Sequence, residues 1–327
     1  MTIAAKRSRS IDRPYSPATA PHTGPASSIY QYATVDERVF GPVRRCCVGT
    51  VALAMSDATT AELIRAILAA PDSPEDGWLP ALEELQDRPT RETFDAAIQL
   101  LAADAIPERE LGVEILGQLG GSGSDPNRPF REQTVVALLE LLTHEREPRV
   151  LESLGFAFAH LDEPRGVAPL SAFADHPAER VRTAIVHALL GRTDEIAVQT
   201  LLALSNDIAD EVRDWATFGL GTLLRLDTPS IRDALLARLD DEHHDTREEA
   251  MYGLVLRLDS RAVPVLMDFL EEHEGPMLDN ALLILADHLD DPRLPEAITE
   301  RWPDGVPAEA RERADAEWQI ASFESTA

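Results

Sequence analysis

Five segments in the C-terminal half of the chain can be laid over one another: VLESLGFAFAHLDEP from Val150, VRTAIVHALLGRTDE from Val181, VRDWATFGLGTLLRLDTP from Val212, TREEAMYGLVLRLDSR from Thr246 and MLDNALLILADHLDDP from Met277. They start 31, 31, 34 and 31 residues apart. A fixed period of roughly twenty to fifty residues carried by helical patterns means stacked helix pairs, because one such unit buries its apolar face only against its neighbours. The expected fold is therefore all-α, an alpha-alpha superhelix of about seven helix pairs.

With the first residue of each segment numbered zero, positions +4, +7 and +8 are small or apolar: Ile185, Ala188 and Leu189; Ala216, Gly219 and Leu220; Ala250, Gly253 and Leu254; Ala281, Ile284 and Leu285. That spacing makes one helical face, and its small residues let helices approach closely, so these positions are core. Bulky side chains are expected to be excluded from Gly219 and Gly253. Positions +2 and +6 lie four residues apart on the opposite side. Position +2 reads Glu152, Thr183, Asp214, Glu248 and Asp279, and position +6 reads Phe156, His187, Phe218, Tyr252 and Leu283. The column of rings beside a column of acids has two readings: each ring covers the next repeat's helix, or the rings are anchors in an acid-edged groove.

Charge bears on the choice of partner. Thirty basic residues stand against 58 acidic ones, a formal charge of −28. Residues 1–55 hold a small basic excess, so the rest of the chain is more acidic still. Such a body repels phosphate backbones, whose binding rests on Lys and Arg, and nucleic acid is not an expected partner. Cys46 and Cys47 are too few and too close to frame a disulfide scaffold or a zinc site, which leaves a reducing, cytoplasmic location as the expectation. No apolar run approaches the roughly 20 residues of a membrane span.

Along the chain, residues 1–55 are expected to be a disordered or non-native extension, rich in Pro, Ser, Thr and Ala at their start and without an apolar period there. Helical patterning begins near Met55, in MSDATTAELIRAILAA, and the solenoid is expected to span 56–302, with its clearest repeats at 146–302. Residues 303–327 are then a capping helix and tail. The Gly120–Phe130 stretch, GGSGSDPNRPF, interrupts one repeat; no strand precedes it and no lysine follows, so it is expected to be a flexible loop and not a phosphate cradle. Asp162, Asp227, Asp259 and Asp290 follow helices and are expected to cap the next ones.

The unit resembles the HEAT family, in particular the short HEAT-like repeat of phycobilisome lyases, over residues 76–302. The resemblance rests on an apolar helix, an acidic turn, then Val181-Arg182 and Val212-Arg213 followed by an Ala/Gly-Leu pattern; Thr246-Arg247 keeps only the arginine. It implies that Arg182, Arg213 and Arg247 form a ladder with turn acids, among them Asp175, Asp207 and Asp240. It also implies that the +2/+6 side lines a concave surface. Asp214, Trp215, Phe218, Glu248, Tyr252, Phe156 and His187 are then the candidate groove residues, suited to a basic protein or peptide partner in a non-catalytic scaffold.

Two enzymes share the repeat, a phycobilin lyase and the di-iron deoxyhypusine hydroxylase. The latter implies His-Glu pairs at +2 and +3, where this chain has Thr183-Ala184, Asp214-Trp215, Glu248-Glu249 and Asp279-Asn280. His144-Glu145 and His273-Glu274 fall in turns. Catalytic residues, cofactor and metal are therefore expected to be none; the alternative is a chromophore lyase, or a hydroxylase-like oxidoreductase that has lost its metal motif.

Overall fold

The computed structural model describes residues 57–70 and 78–321, so the expected extension over residues 1–55 lies outside the described residues. Among the described residues there are sixteen α-helices and no strand. No helix there is long and apolar enough to cross a membrane. The chain divides into two compact units, residues 1–82 and 83–327.

In the first unit α1 spans Thr60–Ala69 and α2, Trp78–Gln86, runs across the boundary. The start of α1 is set by a capping box: the Thr59 hydroxyl accepts from the Glu62 N–H at 3.3 Å, and Glu62 accepts from the Thr59 N–H at 2.8 Å.

The second unit holds fourteen helices that alternate between two layers. The first layer is α3 (Arg91–Leu101), α5 (Arg131–His144), α7 (Val167–Ser171), α9 (Glu195–Leu204), α11 (Pro229–Arg238), α13 (Val263–Glu272) and α15 (Arg293–Arg301). The second layer is α4 (Ile106–Gln118), α6 (Pro148–Leu161), α8 (Glu179–Leu189), α10 (Asp210–Phe218), α12 (His244–Leu256), α14 (Pro276–His288) and α16 (Ala308–Ala321). Consecutive second-layer helices rest on one another from α4 to α16, which is the stacked-pair arrangement that the period dictates. Prolines mark entries to elements: Pro107, Pro148, Pro229 and Pro276 sit in first turns, where a missing N–H is no loss.

Positions +4, +7 and +8 are buried in every one of the four segments named for them. Small residues set the spacing. A methyl group on Gly155 of α6 would lie 2.7 Å from the Ala184 Cβ and 2.9 Å from its carbonyl, and one on Gly253 would lie 2.5 Å from the Gly221 Cα. Gly221 belongs to a π-helical turn, Gly219–Leu223, that widens the end of α10. By contrast a methyl at Gly219 meets the end of the Leu190 side chain, which can rotate away. The tight site is therefore Gly253, with Gly219 the more tolerant of the two.

The arginine ladder is present, with a different stagger from the expected one. Arg182 donates to His176 and Pro177 carbonyls of its own turn and reaches forward to Asp207 of the next; Arg213 bonds the Asp207 and Ile208 carbonyls and reaches forward to Asp241. The acid partner lies one repeat ahead, and Asp241, not Asp240, is the rung. Arg109 repeats the pattern earlier, bonding the Ala103 and Asp104 carbonyls and Glu145. Arg247 makes the two carbonyl bonds, to Asp241 and Glu242.

Of the four expected caps, Asp259 holds the role, accepting from the Arg261 N–H at 3.1 Å. Asp162 instead ends α6 in the left-handed region, φ 47°, and capping passes to Glu163. Thr228 caps α11, and Asp291 accepts from Arg293 N–H in place of Asp290.

The Gly120–Phe130 loop is pinned where a flexible one was expected. The buried Arg128 guanidinium donates to the Leu116, Gly117 and Leu119 carbonyls at the end of α4, and Gly123 N–H donates to the His160 carbonyl. The Phe130 ring stacks on Phe94 at 4.7 Å. Arg257 does the same for the π turn, reaching the carbonyls of Leu220, Gly221 and Leu224.

Candidate functional site

The small residues that draw the second-layer helices together also decide what the +6 rings do. Phe156 and His187 lie with ring centres 5.3 Å apart, His187 and Trp215 4.5 Å apart, and Trp215 and Phe218 5.8 Å apart in an edge-on contact. These four side chains make one continuous row across α6, α8 and α10. Phe156, His187 and Tyr252 retain 4%, 3% and 2% of their exposure, so these three do not line an open groove. They are inter-repeat core, because adjacent helices sit close enough for a ring at +6 to lie across the gap between them. Tyr252 is outside the row; its hydroxyl faces Asn280 of α14 and Glu317 of α16, which are themselves joined at 2.7 Å. Burial pushes the Tyr252 hydroxyl up and holds the His187 imidazole down to about 3, so both stay neutral near pH 7.

The other four candidates, Asp214, Trp215, Phe218 and Glu248, are half-buried and keep solvent access. Trp215 and Phe218 form the accessible end of the ring row, and Asp214 is beside Trp215 on α10.

The electrostatics of this region are unusual for side chains at a surface. Burial raises the Asp214 carboxyl to about 7, with further pressure from Asp245 and Glu211, and its Oδ1 is buried with no hydrogen-bond partner. Burial raises Glu249 to about 8, aided by Asp214 and Glu248, although Thr222 donates to it at 3.3 Å. Glu248 is raised for the same first reason. No cation stands within ion-pair distance of Asp214, Glu248 or Glu249 among the described residues. Further along the layer burial lifts Glu114 to about 8 and Glu152 to about 6, but there a cation is present, Arg180 lying 3.3 Å from Glu152. The remaining members of the +2 column are neutral or paired: Thr183 is buried, and Asp279 is bonded to Arg301.

A cluster that the sequence reading did not assemble lies beside Glu248. His244, at the start of α12, faces Asp245 through Nδ1 at 3.1 Å and His273 through Nε2 at 3.0 Å. Ligand-type atoms of His244, Asp245 and Glu248 all lie within 4.8 Å of one another. The available signal was a histidine in each of two corresponding turns, 29 residues apart, close to one repeat.

Taken together, a two-layered helical array, a carboxylate-to-arginine ladder and a ring row across stacked helices define an α-solenoid, and within it residues 135–221 match the family model described as HEAT repeats. Among known proteins the chain is similar to Protein YibA of Escherichia coli strain K12, with 26% identity over 190 residues, 58% of this chain and 68% of that one. The O157:H7 strain's YibA matches with the same figures. The X-ray structure of Escherichia coli YibA superposes with a TM-score of 0.67 at 21% identity, covering 85% of this chain and 99% of that one. Kap95p, in a structure concerned with RanGDP, gives 0.54 at 16% identity and covers 88% of this chain and 42% of its own. At these identities the structural likenesses establish the fold and nothing finer.

Proposed function

We propose that this HEAT-repeat solenoid is a non-catalytic scaffold that binds a basic protein or peptide segment on the second-layer surface around Asp214, Trp215, Phe218 and Glu248. The observation that carries the reading is the pair of half-buried carboxylates Asp214 and Glu248 beside the accessible Trp215 and Phe218 rings, with the Asp214 Oδ1 unpartnered and no cation within ion-pair distance among the described residues. Burial favours the neutral form of these carboxyls, and an arriving Lys or Arg would favour the ionised form and pair with it. The half-exposed Trp215 and Phe218 rings supply apolar contact and a face for a guanidinium or ammonium group. The structure of Kap95p with RanGDP concerns a solenoid that engages another protein, in keeping with this class of role. The hydroxylase-like alternative is disfavoured by chemistry of the chain itself, since +2 and +3 carry no histidine.

The test is capture from native lysate with cross-linking and mass spectrometry, followed by titration of the captured segment as a synthetic peptide. The segment is expected to be rich in Lys and Arg. Trp215→Ala with Phe218→Ala should abolish its binding, each ring contributing about 2 kcal/mol or more, with helix content unchanged. Asp214→Asn with Glu248→Gln should slow association and remove its salt dependence. Unchanged peptide binding by a folded Trp215→Ala, Phe218→Ala variant would overturn the reading.

A further inference from the structure

The stacking of turns in this array brings His244 and His273 together edge-on, with ring centres 4.8 Å apart. His244 and Glu248 are one helical turn apart on α12, so their side chains project from the same side, and Asp245 flanks them. The 3.1 Å between His244 Nδ1 and Asp245 Oδ1 is the separation of two neighbouring ligand atoms on one ion, since bonds of about 2.0–2.2 Å place such atoms roughly 3 Å apart. The third group, Glu248, falls within 4.8 Å of both, a distance that a side-chain rotation closes.

Without an ion, His244 Nδ1–H can donate to the Asp245 carboxylate; with one, the tautomer that gives Nε2–H to His273, 3.0 Å away, leaves Nδ1 free to ligate beside Asp245. This is the way metal-bound histidines are generally oriented, with the far N–H given to an outer acceptor. The α12 N-terminus disfavours a cation by about half a charge, and two carboxylates outweigh it.

We propose that His244, Asp245 and Glu248 form a binding site for a divalent first-row transition ion of the zinc class, with His273 as the positioning residue that fixes the His244 ring. One imidazole and two carboxylates suit such an ion, and the half-exposed setting leaves coordination positions for water. The site goes beyond the scaffold reading and shares only Glu248 with it.

The full chain, stripped with a chelator, is titrated with Zn²⁺ by calorimetry and with Co²⁺ by absorption. One saturable equivalent is expected, with visible Co²⁺ bands and no sulfur-to-cobalt transition of the kind Cys46 and Cys47 would give. His244→Ala and Glu248→Gln should each weaken binding at least about tenfold, and His273→Ala about tenfold, with recovery in His273→Gln, whose amide oxygen accepts the same N–H. Two results would overturn the site: no saturable binding up to about 1 mM, or equal affinity in wild type and a His244→Ala, Glu248→Gln variant of unchanged helix content. A loss at His273→Ala matched by no recovery in His273→Gln would overturn the positioning role. Zinc binding is measured without a protein partner, so failure of the scaffold reading leaves this result unaffected.

Discussion

Arg182 and Asp207 clasp each other across a repeat boundary through two parallel hydrogen bonds, Nε to Oδ2 and Nη2 to Oδ1, both 2.7 Å. Both side chains are nearly buried, at 9% and 8% exposure. Removing one partner strands the other charge, so Asp207→Ala should cost on the order of 3 kcal/mol in urea unfolding. Arg182→Met combined with Asp207→Leu should cost less than Asp207→Ala alone. A double-variant cost equal to the sum of the separate Arg182→Met and Asp207→Leu costs would show that the pair is not coupled.

Gly253 and Gly219 occupy equivalent positions with unequal room. Gly253→Ala drives a methyl into the Gly221 Cα at 2.5 Å and should cost about 2 kcal/mol through overpacking, whereas Gly219→Ala meets only a movable Leu190 methyl and should cost well under half of that. Thermal unfolding of the two variants side by side checks the order.

Glu114 and Glu249 predict the response to pH. Burial raises both carboxyls from the ordinary 4.5 to about 8. Between those values the folded chain holds more protons than the unfolded one, so their contribution is fully present below about pH 4.5, declines as pH rises and is gone above about pH 8. The urea midpoint should therefore fall from pH 5 to pH 9, and Glu114→Gln with Glu249→Gln should flatten that fall. A wild-type midpoint that rises over this range would contradict the assignment.

Arg257 is buried and donates to carbonyls of Leu220, Gly221, Leu224, Leu226 and Gly253. Arg257→Met leaves several of these acceptors unpaired inside the protein and should cost roughly 3 kcal/mol or more. Hydrogen exchange should show the loss concentrated at Gly219–Leu226, the end of α10 and the chain that follows it.

What could be read from sequence was whatever repeats locally. Ile185, Ala216, Ala250 and Ala281 announce one buried face because helix periodicity acts within a few residues. Arg182 and Arg213 announce a ladder for the same reason. Their partners were misassigned because choosing between Asp240 and Asp241 requires knowing how one turn sits on the next. The burial of Phe156, His187 and Tyr252 likewise depends on helix spacing, which Gly155 and Ala184 set at one repeat boundary and Gly221 and Gly253 at another. His244 and His273 each look like an isolated turn residue, and only stacking joins them. The shift of capping from Asp162 to Glu163 follows from the left-handed backbone at Asp162, which no pattern of side chains displayed.

The Arg128 clamp carries a consequence for how such an array tolerates added chain. A repeat protein is ordered like a crystal in one dimension, and extra residues at a turn act as an interstitial that can throw the following layers out of phase. By returning the end of the Gly120–Phe130 excursion to the Leu116, Gly117 and Leu119 carbonyls, Arg128 holds the surplus outside the lattice, and the order resumes at α5 without a slip. The exposed stretch Ser124–Asn127 is thus a place where foreign sequence, such as a reporter tag, can be carried while the periodic body stays in register.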